Sequence, residues 1–225
     1  MRIKFSHSEL IAENIISYYF DAPAEFNYLA GQYAELSFPG EIDAQVDGNR
    51  WYTLSSSPSE KLLAITTKFN PKVSKFKNSL KNLKKGEELV ISEPIGDFVL
   101  PIDKSIPLVY ISGGIGITPV RSIVKYLIDT HQKRNISLIY YAKNNEQLIF
   151  DDLFNSYKIN YRPIFSSEPK LDIHQTLKSI NSSLEKSLFY VSGPQTMVET
   201  MAESLSKEYG QSRVVMDYFP GYLLI

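Results

Sequence analysis

A change of pattern near residue 107 constrains this chain more than any other feature. Upstream, short apolar runs are separated by turn residues. They run Ile3–Phe5, Ile15–Phe20, Gln32–Ser37, Trp51–Leu54, Leu62–Thr67 and Leu89–Ser92, with breaks such as Asp21-Ala-Pro23, Pro39-Gly40 and Asp47-Gly48. Strands this short and this closely spaced predict a closed or nearly closed antiparallel β-barrel. One helix is expected inside it, over Ser74–Asn82, because Val73, Phe76, Leu80 and Leu83 recur with helical spacing.

Downstream, the grammar is that of a doubly wound α/β domain. Leu108–Ser112 is a compact apolar run of the kind buried on both faces of a parallel sheet. Helices are expected over Pro119–Lys133, Asp151–Asn155, Ile173–Ile180 and Pro194–Tyr209. Strands are expected between them at Ile136–Tyr141, Asn160–Phe165 and Ser187–Ser192, with Arg213–Met216 as a last one. The predicted organisation is therefore an N-terminal barrel over residues 1–103 and a C-terminal α/β domain over 104–225, joined at Asp103–Pro107. The length of 225 residues, 43% apolar, suits two such cores.

Composition narrows the chemistry. There is no cysteine, which removes thiolate metal sites, a cysteine nucleophile and a thiolate-held iron–sulfur cluster. Redox chemistry in this chain would rest on an organic cofactor or a partner. His7, His131 and His174 share no metal-ligand spacing and read as surface histidines, so no metal site is expected. A net charge of −1 argues against a nucleic-acid binder. The start, Met1-Arg-Ile-Lys-Phe5, leads into polar sequence instead of a secretory apolar core, and no apolar run is long enough to span a membrane. A cytoplasmic protein is expected.

Three motifs point to a ligand. Ser112-Gly-Gly-Ile-Gly-Ile-Thr-Pro119 falls where a strand ends and a helix begins; its glycines allow close backbone approach, and a helix start suits a phosphate. Its spacing, G-G-x-G-x-T-P, is not the usual dinucleotide fingerprint, and a ligand-free tight connection would use the same residues. A second turn, Ser192-Gly-Pro-Gln-Thr-Met197, also follows an apolar strand. Two such turns at the C-terminal ends of parallel strands would face one crevice. In the first half, Arg50-Trp-Tyr-Thr53 puts Arg50 and Tyr52 on one strand face, an arginine for a phosphate and a ring for a planar ligand. Lys68, Lys72, Lys75, Lys77, Lys81, Lys84 and Lys85 make a basic segment around Ser74, whose hydroxyl would sit near a helix start and a pyrophosphate.

These motifs, in this order along nearly the whole chain, resemble the ferredoxin–NADP reductase superfamily. The family's flavin motif R-x-Y-[ST] stands here as Arg50-Trp51-Tyr52-Thr53. The resemblance implies that Arg50 binds the flavin phosphate, Tyr52 packs on the isoalloxazine and Thr53 lies near its N5 edge. The second flavin motif, G-x-x-S, reads Pro71-Lys72-Val73-Ser74, keeping the serine and lacking the glycine. Glu93-Pro-Ile-Gly-Asp-Phe98 is similar to the turn that ends the family's barrel. Gly113–Pro119 matches its pyridine-nucleotide loop, with Thr118 near the nicotinamide. Ser192–Met197 matches C-G-P-x-x-M with serine in place of cysteine, and Asp217–Tyr222 resembles a tail that approaches the flavin.

The implied cofactor set is Arg50, Tyr52, Thr53, Leu54, Thr67, Lys68, Val73 and Ser74 for the flavin. For the nucleotide it is Gly113, Gly114, Gly116, Thr118, Ser166, Ser192, Gly193 and Met197, with Tyr222 from the tail. Tyr52, Thr53, Thr118 and Ser192 are the implied catalytic residues. FAD is expected ahead of FMN. Ser166-Ser-Glu168 holds no arginine for a 2′-phosphate, so NADH is expected ahead of NADPH, although Lys170 offers a cation nearby. The implied activity is hydride transfer from NAD(P)H to bound flavin, then electron transfer to a separate acceptor: a ferredoxin, a flavodoxin, another redox protein or a small molecule. Two alternatives are a reductase that uses free flavin as a diffusing substrate and an electron-transfer subunit of a larger complex.

Overall fold

The computed structural model describes residues 1–40, 48–71, 74–168, 172–181 and 183–218. Expectations that fall on Val73, Lys72, Lys170 and Tyr222 lie outside those residues. The first half holds β1 (Arg2–Ala12), β2 (Ile15–Asp21), β3 (Tyr33–Ser37), β4 (Asn49–Thr53), β5 (Leu63–Lys68), α1 (Lys75–Lys81) and β6 (Glu88–Ile91). They form one antiparallel sheet in the order β4-β3-β6-β1-β2-β5. The sheet curls until its two edge strands meet, but among the described residues a single bridge, Leu54 to Ile65, joins them. The barrel is therefore nearly closed, and its seam runs between β4 and β5. Alternate residues fill it: Ile3, Phe5, Tyr18, Phe20, Leu36, Tyr52 and Ile65 pack with Phe76 and Leu80 of α1. The spacing of Phe76 and Leu80 gives α1 its buried stripe, and the Ser74 hydroxyl caps it by accepting the Lys77 amide.

The second half holds β7 (Leu108–Gly113), α2 (Thr118–Asp129), β8 (Ile136–Ala142), α3 (Asp151–Ser156), β9 (Asn160–Phe165), α4 (Ile173–Ile180), β10 (Leu188–Ser192), α5 (Gln195–Tyr209) and β11 (Val214–Asp217). The strands are parallel in the order β11-β10-β7-β8-β9. All six residues of β7 are buried, as a central strand with helices on both faces requires. Chain direction reverses its march between β7 and β10, and a crevice opens there at the strand ends.

Two element boundaries differ from expectation by more than two residues. α2 stops at Asp129 instead of near Lys133: the Thr130 hydroxyl donates back to the Tyr126 carbonyl, and His131 takes a left-handed φ of 53°. No glycine or proline marks that stop in the sequence. β1 runs on to Ala12 because its far end pairs with β2, with register shifts between Phe5 and His7 and between Leu10 and Ala12. That ribbon tip matters for assembly. Ile11, Ala12 and Ile15, together with Ala30 and Phe98, pack into the same apolar cluster as Ile123 and Leu127 of α2. The two halves thus share buried surface. His174 is also not a free surface residue, since its ring stands between Ser204, 2.8 Å from Nε2, and Glu208.

Candidate functional site

A cavity of about 510 Å³ lies over the barrel seam and under the crevice of the parallel sheet. The sequence dictates its walls strand by strand. From the barrel come Arg50, Trp51, Tyr52 and Thr53 on β4, and Thr66, Thr67 and Lys68 on β5, the two strands whose separation leaves the seam open. From the α/β half come Gly113, Gly114, Ile115, Gly116 and Thr118 after β7, Gly193 and Pro194 after β10, and Asp217 and Tyr218 at the end of β11.

The two glycine turns are packed against each other with no room for side chains. A Cβ on Gly116 would fall 2.5 Å from the Cα and N of Gly193. Gly193 has a φ of 144°, and its amide donates to the Asp217 carbonyl at 3.3 Å. Gly114, with a φ of 53°, differs: a Cβ there would meet nothing within 4 Å. Its backbone edge is open to the cavity, so a ligand can approach the peptide closely.

The cavity is electrostatically divided. At the barrel end, Arg50 is 9% exposed and its Nη1 donates to the Asn49 carbonyl at 2.7 Å. Lys77 Nζ donates to the Lys68 carbonyl at 2.7 Å and lies 5.9 Å from the centre of the Phe69 ring. Burial, and then the positive charge of Arg50, push the Lys77 ammonium below its usual range. Lys68 Nζ reaches across to the Gln147 side chain at 2.8 Å. Two cationic side chains, Arg50 and Lys77, thus share one end, a setting that favours an anion of high charge density. At the other end sits Asp217, 9% exposed, whose carboxyl is pushed up to about 6 by burial against the opposing effect of a hydrogen bond with Thr53. A carboxyl in that condition holds or gives up a proton near neutral pH.

Ten of the residues expected from sequence line this cavity: Arg50, Tyr52, Thr53, Thr67, Lys68, Gly113, Gly114, Gly116, Thr118 and Gly193. Five do not. Ser192 is wholly buried; its Oγ donates to the Gly116 carbonyl at 2.7 Å and lies 3.0 Å from Ser112 Oγ, so it braces the first glycine turn from behind. Met197 stands under the same turn, with Sδ 2.5 Å from where a Gly113 Cβ would be. Leu54 is in the barrel core and Ser74 caps α1. Ser166 closes the end of β9, its amide donating to the Ala142 carbonyl at 3.1 Å. Sequence reasoning put Lys77 in a basic segment and Asp217 at the head of a tail segment without naming either as a site residue. The available signals were weak: Lys77 stands three residues after Ser74, and Asp217 ends the last strand in register with Ser192.

Comparison with known proteins agrees with this construction. Residues 110–203 match the oxidoreductase NAD-binding domain family. The chain is 36% identical over 126 residues to a flavohemoprotein of Bacillus cereus, covering 53% of this chain and 31% of that protein. It is 36% identical over 136 residues to the glycine betaine monooxygenase reductase subunit of Chromohalobacter salexigens, covering 58% and 35%. It thus spans about a third of these curated relatives. Among solved structures, the ferredoxin–NADP+ reductase of Plasmodium falciparum superposes with a TM-score of 0.80 at 18% identity, over 97% of this chain and 95% of that one. The Amycolatopsis cytochrome P450 reductase gives 0.80 at 22% identity, over 97% and 70%. No helix among the described residues is long and apolar enough to cross a membrane. An antiparallel barrel ahead of a parallel α/β domain is thus the fold this chain shares with those solved structures, and its residues 110–203 belong to the oxidoreductase NAD-binding domain family.

Proposed function

We propose that this chain is an NAD(P)H-oxidising flavoprotein module, with residues 1–103 holding the flavin and 104–225 the nicotinamide nucleotide. The observation that carries the reading is the single cavity that brings the Arg50–Thr53 strand against both glycine turns. Its volume is in the range of small-molecule sites. Its cationic end suits a phosphate or pyrophosphate, and its Tyr52–Thr53 wall suits a planar ring. A bound flavin supplies the chemistry of accepting a hydride and releasing electrons singly or in pairs.

The chain's own residues bind, orient and manage a proton. Arg50 and Lys77 would hold the flavin phosphates, and two neighbouring cations favour the pyrophosphate of FAD over the single phosphate of FMN. Gly114 would let the nicotinamide nucleotide lie against bare backbone, Gly116 keeps that turn packed on Gly193, and Thr118 would orient the nucleotide from the first turn of α2. Thr53 hydrogen-bonds the Asp217 carboxyl, which takes up or releases a proton near pH 6 and could exchange one with a flavin held in this cavity. Glu168, which accepts the Phe165 amide at 2.8 Å at the end of β9, puts a negative charge where a 2′-phosphate would sit and favours NADH. The ratio of kcat/KM for NADH and NADPH tests that preference, and a strong NADPH preference refutes it.

Electrons leave to a separate acceptor, a ferredoxin, a flavodoxin or an oxygenase component. The reductase-subunit name of one relative supports a protein acceptor. Lys81, Lys84 and Lys85, exposed at and after the end of α1, would steer an acidic one. The deciding experiment is a visible spectrum of the purified protein before and after anaerobic NADH. Flavin bands that bleach support the reading. A colourless protein after desalting favours use of free flavin, and retained bands that NADH and NADPH leave unchanged refute hydride transfer.

A further inference from the structure

The cavity is built from two halves, and something must hold its two walls at a fixed separation. The apolar contact of Ile15, Ala30 and Phe98 with α2 brings the halves together but is not directional. A polar cluster centred on α2 is directional, and it is the most extensive polar contact between the halves among the described residues. Arg121 on α2 grips Glu60 with both terminal nitrogens, Nη2 to Oε1 at 2.9 Å and Nη1 to Oε2, and Nη1 also donates to the Ser55 carbonyl at 3.0 Å. Glu60 Oε2 accepts the Ser57 amide at 2.7 Å. One residue on, the Ser122 hydroxyl donates to the Ser56 carbonyl at 2.5 Å. Two helical turns further, Asp129 accepts from Ser59 at 2.6 Å. Arg121 and Glu60 are largely buried, with side chains 16% and 22% exposed.

The position of this cluster in the chain gives it its meaning. Ser55 follows Thr53, on the flavin wall of the cavity, by two residues. Arg121 follows Thr118, on the nicotinamide wall, by one turn of a helix. We propose that the Arg121–Glu60 pair is a positioning clamp that sets the distance and angle between the flavin strand and the nicotinamide turn. This inference rests on the function proposed above. The chemistry favours that role over a contribution to stability. A buried ion pair gains little net stability over an apolar pair of the same size, whereas a bidentate arginine–carboxylate contact fixes relative orientation. Hydride transfer is correspondingly sensitive, because a misplacement of about 1 Å from a distant change costs on the order of 100-fold in rate.

The test compares Glu60→Gln, Arg121→Met and the double variant Glu60→Leu/Arg121→Met with the wild type, each with flavin bound. Stopped-flow reduction by NADH is expected to slow by about 10- to 100-fold in all three, while the NADH dissociation constant stays within about threefold. The double variant is expected to be no slower than the singles, since all remove one pair. On flavin-free protein, amide exchange in residues 55–60 and 118–122 is expected to rise about tenfold, with β7 and β8 unchanged. Thermal unfolding of the double variant should match the wild type, which separates orientation from stability. If Arg121→Met does not fold, Glu60→Gln and the double variant decide. Reduction within twofold of wild type in those variants, or unchanged exchange, overturns the clamp. A wild-type flavin that NADH and NADPH do not bleach overturns the functional reading and the clamp with it, whereas bleaching in wild type and variants alike overturns only the clamp.

Discussion

Asp217 offers the sharpest quantitative test of the site, through the substitution Asp217→Asn. The carboxyl is pushed from an ordinary 3.8 up to about 6, mainly by burial, in spite of the Thr53 hydrogen bond. The folded protein therefore holds this proton more firmly than the unfolded chain does. Between pH 3.8 and about 6 the folded state carries more protons, so stability falls as pH rises through that window. Above it the carboxylate is charged in both states and the full cost of burying it is present. A shift of roughly two units corresponds to about 3 kcal/mol at 1.36 kcal/mol per unit. Asparagine is nearly isosteric, is neutral at every pH and still accepts from Thr53. Asp217→Asn should then be more stable than the wild type by up to about 3 kcal/mol at pH 7, or roughly 6–10 °C in Tm for a chain this long. The difference should shrink to near zero below about pH 4, where the wild-type carboxyl is protonated in both states. Urea midpoints at pH 7 and pH 4 measure both values. A variant no more stable than wild type at pH 7, or a difference that does not close toward pH 4, would refute the raised carboxyl. The same variant should lose any pH dependence of flavin reduction centred near 6.

Two further outcomes are expected. Gly116→Ala must push a Cβ into the Gly193 backbone at 2.5 Å and should cost about 3 kcal/mol or more, while Gly114→Ala meets open space and costs only its φ of 53°, about 1 kcal/mol; denaturation midpoints in the reverse order would discard the packed-turn account. Lys77→Met should weaken FAD binding by roughly 10- to 100-fold, the loss of one charge-assisted contact, and leave riboflavin binding unchanged; fluorescence titration with both flavins checks this, and an equal loss for riboflavin would remove Lys77 from the phosphate site.

Much of the architecture was legible from local pattern. Short alternating strands before residue 103 and all-apolar Leu108–Ser112 after it carry different periodicities, and periodicity reports which faces of an element are buried. The Arg50–Thr53 strand and the two glycine turns were legible for the same reason, since their residue types are demanded by backbone geometry at one short stretch. The end of α2 was not, because a hydroxyl and a single left-handed residue, His131, end it. Ser192 shows the limit most clearly. Its motif marks the right turn, yet its hydroxyl faces Ser112 and Gly116 behind that turn, and the direction of a side chain depends on packing that no motif encodes.

The sequence by itself determined the elements, their order and the two turns, because each depends on neighbours within a few residues. Tertiary structure alone decided what those pieces make between them. It left the barrel seam open at β4 and β5, set Lys77 beside Arg50, brought Asp217 to Thr53 across 164 positions, and tied Arg121 to Glu60. Each of these is a contact between residues distant in the chain. The desolvation that raises one carboxyl and lowers one ammonium exists only once both halves have packed around the same space.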